Sequence, residues 1–176
     1  MAKPVYGARR TVYRNAHQSV YCVPAEGPEG VREIYVTDYG PRAAALVHGP
    51  RGILLTRQYR YLIDGLSFEI PGGKSDEGEA PRDTAARECL EETGIRPLSL
   101  QPLIMFHPGL DTLHNPTHVF HTAEFEKGAE SPQHGEVHET TWLSLERCLA
   151  MISEGIIVDS LSLIALMAFA RSQEQP

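Results

Sequence analysis

The sequence predicts an α/β protein whose mixed β-sheet carries helices on both faces. Two observations lead there. Short β-prone runs separated by Gly/Pro turns fill most of the first two thirds of the chain, and helical patterns are confined to residues 81–93 and to the C-terminal stretch. In order, 11–23 and 31–38 read as extended segments joined by a turn-rich connector from Pro24 to Gly30. Residues 43–48 and 52–59 form a hairpin around Gly49-Pro50-Arg51-Gly52, and 68–70 is a short strand entering the Pro71-Gly72-Gly73 turn. Further strands are expected at 98–106, 117–125 and 139–143. Ser144 is placed to cap a helix over 145–152, and Asp159 another over 160–171.

The helix at 81–93 has clear physical boundaries. Pro81 suits a first turn because its missing N–H would have no intrahelical partner there. Gly94 is a natural left-handed terminator. At about 100° per residue, Ala86, Cys89, Leu90 and Thr93 share one side, expected to face the core. Glu88, Glu91 and Glu92 share the other, at the spacing that makes neighbours on a helix.

Three carboxylates on one face repel unless a cation sits among them. Arg87 lies one turn before Glu91 and can pair with it, which leaves Glu88 and Glu92 unbalanced. Hard divalent ions such as Mg²⁺ take carboxylate oxygens and complete their shell with water and substrate phosphate. Taken alone, E-x-x-E-E is most often a solvated acidic face. Here the surroundings decide otherwise.

The 176 residues fit one domain with a sizeable core. With 23 acidic against 16 basic residues and a net charge of −7, general nucleic-acid binding is excluded as an expectation. An acidic protein acting on phosphates would need metal ions to bridge the two. Cys22, Cys89 and Cys148, odd in number and far apart, read as reduced thiols. No secretory leader is read, and the apolar run at 161–170 is short and broken by Ser, so no membrane partner and a cytoplasmic location are expected.

Residues Gly73 to Ile95 match the pattern G-x5-E-x7-R-E-U-x-E-E-x-G-U, where U is a bulky apolar residue. Gly73, Glu79, Arg87, Glu88, Glu91, Glu92 and Gly94 fill every fixed position, with Cys89 and Ile95 at the U positions. Seven such matches arise by chance at roughly 10⁻⁶ over a chain this long, which sets aside the solvated-face reading. The segment resembles the signature of the Nudix hydrolases. Outside it, Leu55–Arg60 (LTRQYR) and Phe68–Lys74 (FEIPGGK) are similar to the ADP-ribose pyrophosphatase branch, as are the Pro108-Gly109 pair and Asp159 ahead of the last helix.

That resemblance implies a Nudix-type α/β/α sandwich with a mixed β-sheet and an N-terminal β-extension, divided as 1–40 and 41–176, and a homodimer formed through the extension. It implies hydrolysis of a nucleoside diphosphate linked to a sugar, most simply ADP-ribose to AMP and ribose 5-phosphate. Other nucleoside diphosphate sugars or modified nucleoside triphosphates are alternatives, and a ligand-sensing Nudix module is the non-enzymatic one. Two or three Mg²⁺ (or Mn²⁺) ions are implied, held by Glu88, Glu92, Glu91 and the Gly72 backbone carbonyl. Arg87 would orient Glu91 or Glu79, and Glu79 has either a structural or a catalytic part. The general base implied is a loop glutamate after the signature, for which Glu136 is the match; His134 and Glu91 are rivals.

Arg60 and Glu69 are candidate substrate contacts, Arg60 because guanidinium grips diphosphate oxygens in bidentate fashion. Arg57 joins them only if a bulge splits its strand. Where the branch carries a glutamate after Pro-Gly, this chain has Asp111, so either Asp111 substitutes or the sugar-side contacts differ. Six of eight histidines fall between His107 and His138. They do not suggest zinc, since His118 and His121 point to opposite faces of one strand; a place for one or two of them in lining a base pocket fits better.

Overall fold

The computed structural model describes residues 3–128 and 137–174, which form two compact units: Met1–Pro41 with His107–Pro116, and Arg42–Phe106 with Thr117–Pro176. The first unit opens with strands β1 (Val5–Tyr6), β2 (Arg10–Arg14), β3 (Ser19–Gly27) and β4 (Gly30–Asp38). The second unit contributes β5 (Arg42–Gly49), β6 (Gly52–Arg60), β7 (Gly65–Glu69), β8 (Gly72–Lys74), helix α1 (Pro81–Thr93), β9 (Ile95–Pro97) and β10 (Gln101–Phe106). The chain returns to the first unit for β11 (Leu113–His114). It then completes the second with β12 (Thr117–Thr122), β13 (Phe125–Lys127), β14 (Val137–Leu143), α2 (Leu145–Ser153) and α3 (Ser160–Gln173).

In the first unit β3 pairs antiparallel with β1, β2 and β4, and β11 joins β4 in parallel. The single extended segment expected at 11–23 is two strands. Asn15 breaks it: its Oδ1 accepts from the N–H groups of His17 and Gln18, a local turn that competes with the strand ladder. The connector expected from Pro24 to Gly30 is mostly strand, because the register continues from Pro24↔Glu33 to Gly27↔Gly30 and leaves only a two-residue reversal. In the same unit the Nδ1 of His114 lies 2.8 Å from Asp38, whose carboxyl is net lowered: burial pushes it up, and the His114 hydrogen bond leads the opposing pull.

The second unit holds a seven-stranded mixed sheet, ordered β10-β12-β5-β6-β14 with β7 also on β6 and β8 on β5. The β5–β6 hairpin pairs only at His48↔Ile53 and Gly49↔Gly52, after which the strands part, β5 toward β12 and β8, β6 toward β7 and β14. Alternation along these strands builds two cores. Ala44, Leu46, Ile53, Leu55 and Val119 face one way, against Cys148 and Met151 of α2 and Leu161, Ala165, Leu166 and Phe169 of α3. Ala43, Ala45, Val47, Leu54 and Phe120 face the other, against Ala85 and Cys89 of α1. The α/β/α layering follows from that two-sidedness.

Helix ends behave as their residues dictate. Gly94 closes α1 at φ 68°, donating to Leu90 O. Ser144 and Asp159 cap α2 and α3 by accepting from Arg147 N and Ser162 N. The buried face of α1 is Thr84, Ala85, Cys89 and Thr93, a rotation from the expected Ala86/Leu90 side. Thr84 accounts for it: its hydroxyl lies within 2.8 Å of both Ser75 and Glu79, so it turns inward as a polar anchor. All three cysteines are free and buried. No helix among the described residues is long and apolar enough to cross a membrane.

Candidate active site

The acidic face of α1 lies beside the β8 turn, and one arginine organises it. Arg87 donates from Nε and Nη2 to the two oxygens of Glu79, both at 2.9 Å. Its Nη1 reaches Glu88 at 2.9 Å and Glu91 at 3.2 Å, and Nη2 also donates to the Lys74 carbonyl. The expectation that Arg87 orients Glu79 or Glu91 resolves into both, with Glu88 added. Glu79 is fully engaged, since it also accepts from Asp76 N and Thr84 Oγ1. Its carboxyl is held down to about 2, chiefly by the Arg87 hydrogen bond.

Glu92 is held differently. Its Oε1 accepts from Gln58 Nε2 at 3.0 Å and its Oε2 from the Gly72 N–H at 3.1 Å. Burial is the larger effect: it outweighs both hydrogen bonds and the charge of Arg60 and pushes the Glu92 carboxyl up to about 7. Glu88 is raised too, again chiefly by burial, which outweighs the Arg87 contact. The Glu88 carboxylate lies against Gly73, where a Cβ would displace it. Two partly desolvated carboxylates, with Glu91 beside them, form a donor set of hard oxygens suited to Mg²⁺ or Mn²⁺. Among the described residues, no three His, Cys, Asp or Glu side chains already converge in metal-ligating geometry, because Arg87 lies between Glu88 and Glu91.

Strand β6 divides the remaining candidates. Leu54, Thr56, Gln58 and Arg60 alternate onto the α1 side; Ile53, Leu55 and Arg57 onto the other. Arg60 holds Glu69 through Nε (2.8 Å) and Nη2 (2.5 Å), with Glu69 only 3% exposed. Burial raises the Glu69 carboxyl, but Arg60 and its lesser partners outweigh this and leave it net lowered. The register of β6 against β7 is unbroken from Thr56 to Arg60, so the bulge that would bring Arg57 to the same face does not exist. The irregularity lies instead in β14, opposite Arg57 and Gln58. Arg57 pairs with Glu139 at 2.9 Å and stacks over Phe68.

Asp111 belongs to the first unit, where its carboxylate accepts from Thr112 N. Glu136 and His134 lie outside the described residues. His121 does not join His118: it stacks with His48 and meets Phe169 on the α3 side, and burial lowers both rings' pKa. On that side a cavity of about 370 Å³, lined by His48, Arg51, Ser144 and Phe169 among others, stands apart from the carboxylates. Sequence reasoning missed Gln58 and Thr56, although their period-two spacing with Arg60 puts all three on one strand face.

The Glu92 shift fixes a direction of pH dependence. Between the ordinary 4.5 and about 7, the unfolded Glu92 is ionised while the folded one keeps its proton. Folding then takes up a proton, so metal-free stability from this group is present at low pH and lost as pH rises, by up to about 1.4 kcal/mol per unit. Denaturant midpoints of the metal-free protein at about pH 5 and about pH 7 should fall more steeply for wild type than for Glu92→Gln. Equal slopes would show that Glu92 ionises as a surface carboxylate.

The NUDIX domain model matches residues 38–156. The chain is 29% identical over 161 residues to the CMP-5'-(N-acetyl-N-hydroxy-3-aminopropyl)phosphonate hydrolase of Streptomyces rubellomurinus, covering 90% of this chain and 78% of that one. It is 27% identical over 164 residues to the ADP-ribose pyrophosphatase of Bacillus subtilis, covering 90% and 88%. A solved structure of an ADP compounds hydrolase shares the fold, with a TM-score of 0.80 at 18% identity over 100% of this chain and 98% of that one. With the signature intact on α1 and the domain matched over most of its length, the chain belongs to the Nudix family of hydrolases.

Proposed function

We propose that this enzyme hydrolyses the diphosphate linkage of a nucleoside diphosphate sugar, and that ADP-ribose, giving AMP and ribose 5-phosphate, is its substrate. The observation that carries the reading is the carboxylate face of α1 organised around Arg87 beside the Gly72-Gly73 turn. The similarity of 55–60 and 68–74 to the ADP-ribose pyrophosphatase branch supports the substrate, as does the B. subtilis relative. The Streptomyces relative, a hydrolase named for a CMP-linked phosphonate, supports a second reading in which the nucleoside is not adenosine.

Glu88, Glu92 and Glu91, with the Gly72 carbonyl, are proposed to hold Mg²⁺ or Mn²⁺, in a set of two or three ions. When bound, such ions would offset the charge of the diphosphate and acidify the attacking water. The chain's own groups do the rest. Arg87 holds Glu88 and Glu91 in place from within the helix, and Glu79 anchors Arg87. Arg60, with Nε and one donor of Nη2 committed to Glu69, has donors left for diphosphate oxygens. Glu136 is proposed as the base that takes the proton from water, with Glu91 and His134 as rivals for that role.

Chromatography after incubation with ADP-ribose and Mg²⁺ tests this. Stoichiometric AMP and ribose 5-phosphate are expected, with turnover lowered roughly 10²-fold or more in Glu92→Gln and Glu136→Gln. Turnover of a CMP-linked diphosphate in place of ADP-ribose would move the assignment to the second reading, and near-wild-type Glu136→Gln would remove that residue as base.

Residues 1–40 are proposed to pair two copies of the chain. Val5, Tyr6, Val12, Tyr13 and Tyr35 are exposed on that sheet, an apolar surface that association would cover. Light scattering after gel filtration should give twice the chain mass; a monomer at micromolar concentration would contradict it.

A further inference from the structure

Gln58 is buried at 2% exposure, yet its side chain is only half satisfied. Nε2 donates to Glu92 Oε1 at 3.0 Å and to Thr56 Oγ1 at 3.2 Å, while Oε1 is buried without a hydrogen-bond partner among the described residues. An amide that can turn over in place would normally choose the orientation that pairs both ends. Here Glu92 and Thr56 decide together: the NH₂ end donates to both Glu92 Oε1 and Thr56 Oγ1, and those two contacts outweigh the orphaned carbonyl. Thr56 fixes the amide from behind, since its own hydroxyl donates to Glu69 O at 3.1 Å and so presents a lone pair to Nε2. The chain of bonds runs from the β7 backbone through Thr56 and Gln58 to Glu92, whose second oxygen is tied to Gly72 N–H.

We propose that Gln58 is a positioning residue for divalent-cation binding: it holds the Glu92 carboxylate, from a rigid central strand, in the rotation that directs its free lone pairs to the cation. This deepens, and rests on, the reading that Glu92 is a metal ligand. It assigns to β6 a function separate from substrate contact, carried by Gln58, one of the two residues between Arg57 and Arg60. Supporting groups of this kind typically alter metal affinity 10- to 100-fold when removed.

The test is Mn²⁺ titration followed by electron paramagnetic resonance of the free ion, with no substrate present. Gln58→Leu and the more adaptable Gln58→Met are compared with wild type and Glu92→Gln, using whichever Gln58 variant melts cooperatively. A dissociation constant raised roughly 10- to 100-fold is expected. In turnover the same variant should need more Mn²⁺ for half-maximal rate, approach the wild-type kcat at saturating Mn²⁺ and keep its substrate KM. A general packing defect would not produce that split. Wild-type Mn²⁺ affinity in the Gln58 variant, with Glu92→Gln impaired, would overturn the inference alone. Equal Mn²⁺ binding by wild type and Glu92→Gln would instead overturn the metal-ligand reading on which it rests. Loss of kcat that saturating Mn²⁺ does not restore would also overturn it.

Discussion

Arg87 is the contact on which the site depends. A single guanidinium meets Glu79 in bidentate fashion and also reaches Glu88, Glu91 and the Lys74 carbonyl. Its planar fork supplies donors in several directions at once, which a point charge on a flexible stem would not. Its pKa is raised, first by the Glu79 hydrogen bond, so it stays charged throughout. Arg87 serves three carboxylates, and Glu92 has no guanidinium hydrogen bond among the described residues. Burial disfavours the ionised forms of Glu88 and Glu92, and a divalent cation would relieve that cost.

The rest of the second unit keeps this cluster still. Strand β6 has one face committed to the α2–α3 core through Ile53 and Leu55, which leaves its opposite face, Thr56, Gln58 and Arg60, free to serve the site. The β8 turn packs so closely on β5 that a Cβ at Gly72 would meet the Ala43 carbonyl and Ala44 Cα, and its backbone offers the Gly72 N–H to Glu92. Packing and chemistry are thus two sides of the same strands. The start of α3 is tied in as well, by the Ile70 N–H donating to Ser162 Oγ and by the Asp159 cap.

Legibility in the sequence followed the range of each interaction. The ends of α1 were readable because Pro81 and Gly94 act locally, and Ser144 and Asp159 mark the starts of α2 and α3 for the same reason. The signature residues were readable because their spacing encodes one helix face. What escaped depends on pairing across the fold. The turn at Asn15, the continuation of β3 through Pro24 and the return of 107–116 to the first unit are decided by strand partners distant in sequence. The role of Gln58 needed the knowledge that β6 lies across from α1, which no local pattern contains. Arg57 stays on the face opposite Arg60, as simple alternation implies, because the β6–β7 register has no bulge.

We propose that the fork geometry of Arg87, beyond its charge, organises the carboxylates for catalysis. Arg87→Lys keeps the charge and removes the fork. Measured as turnover of a diphosphate substrate against divalent-ion concentration, the variant should remain folded yet lose roughly 10²-fold or more in kcat/KM, with a shifted ion dependence. Near-wild-type turnover and an unshifted ion dependence would contradict the account.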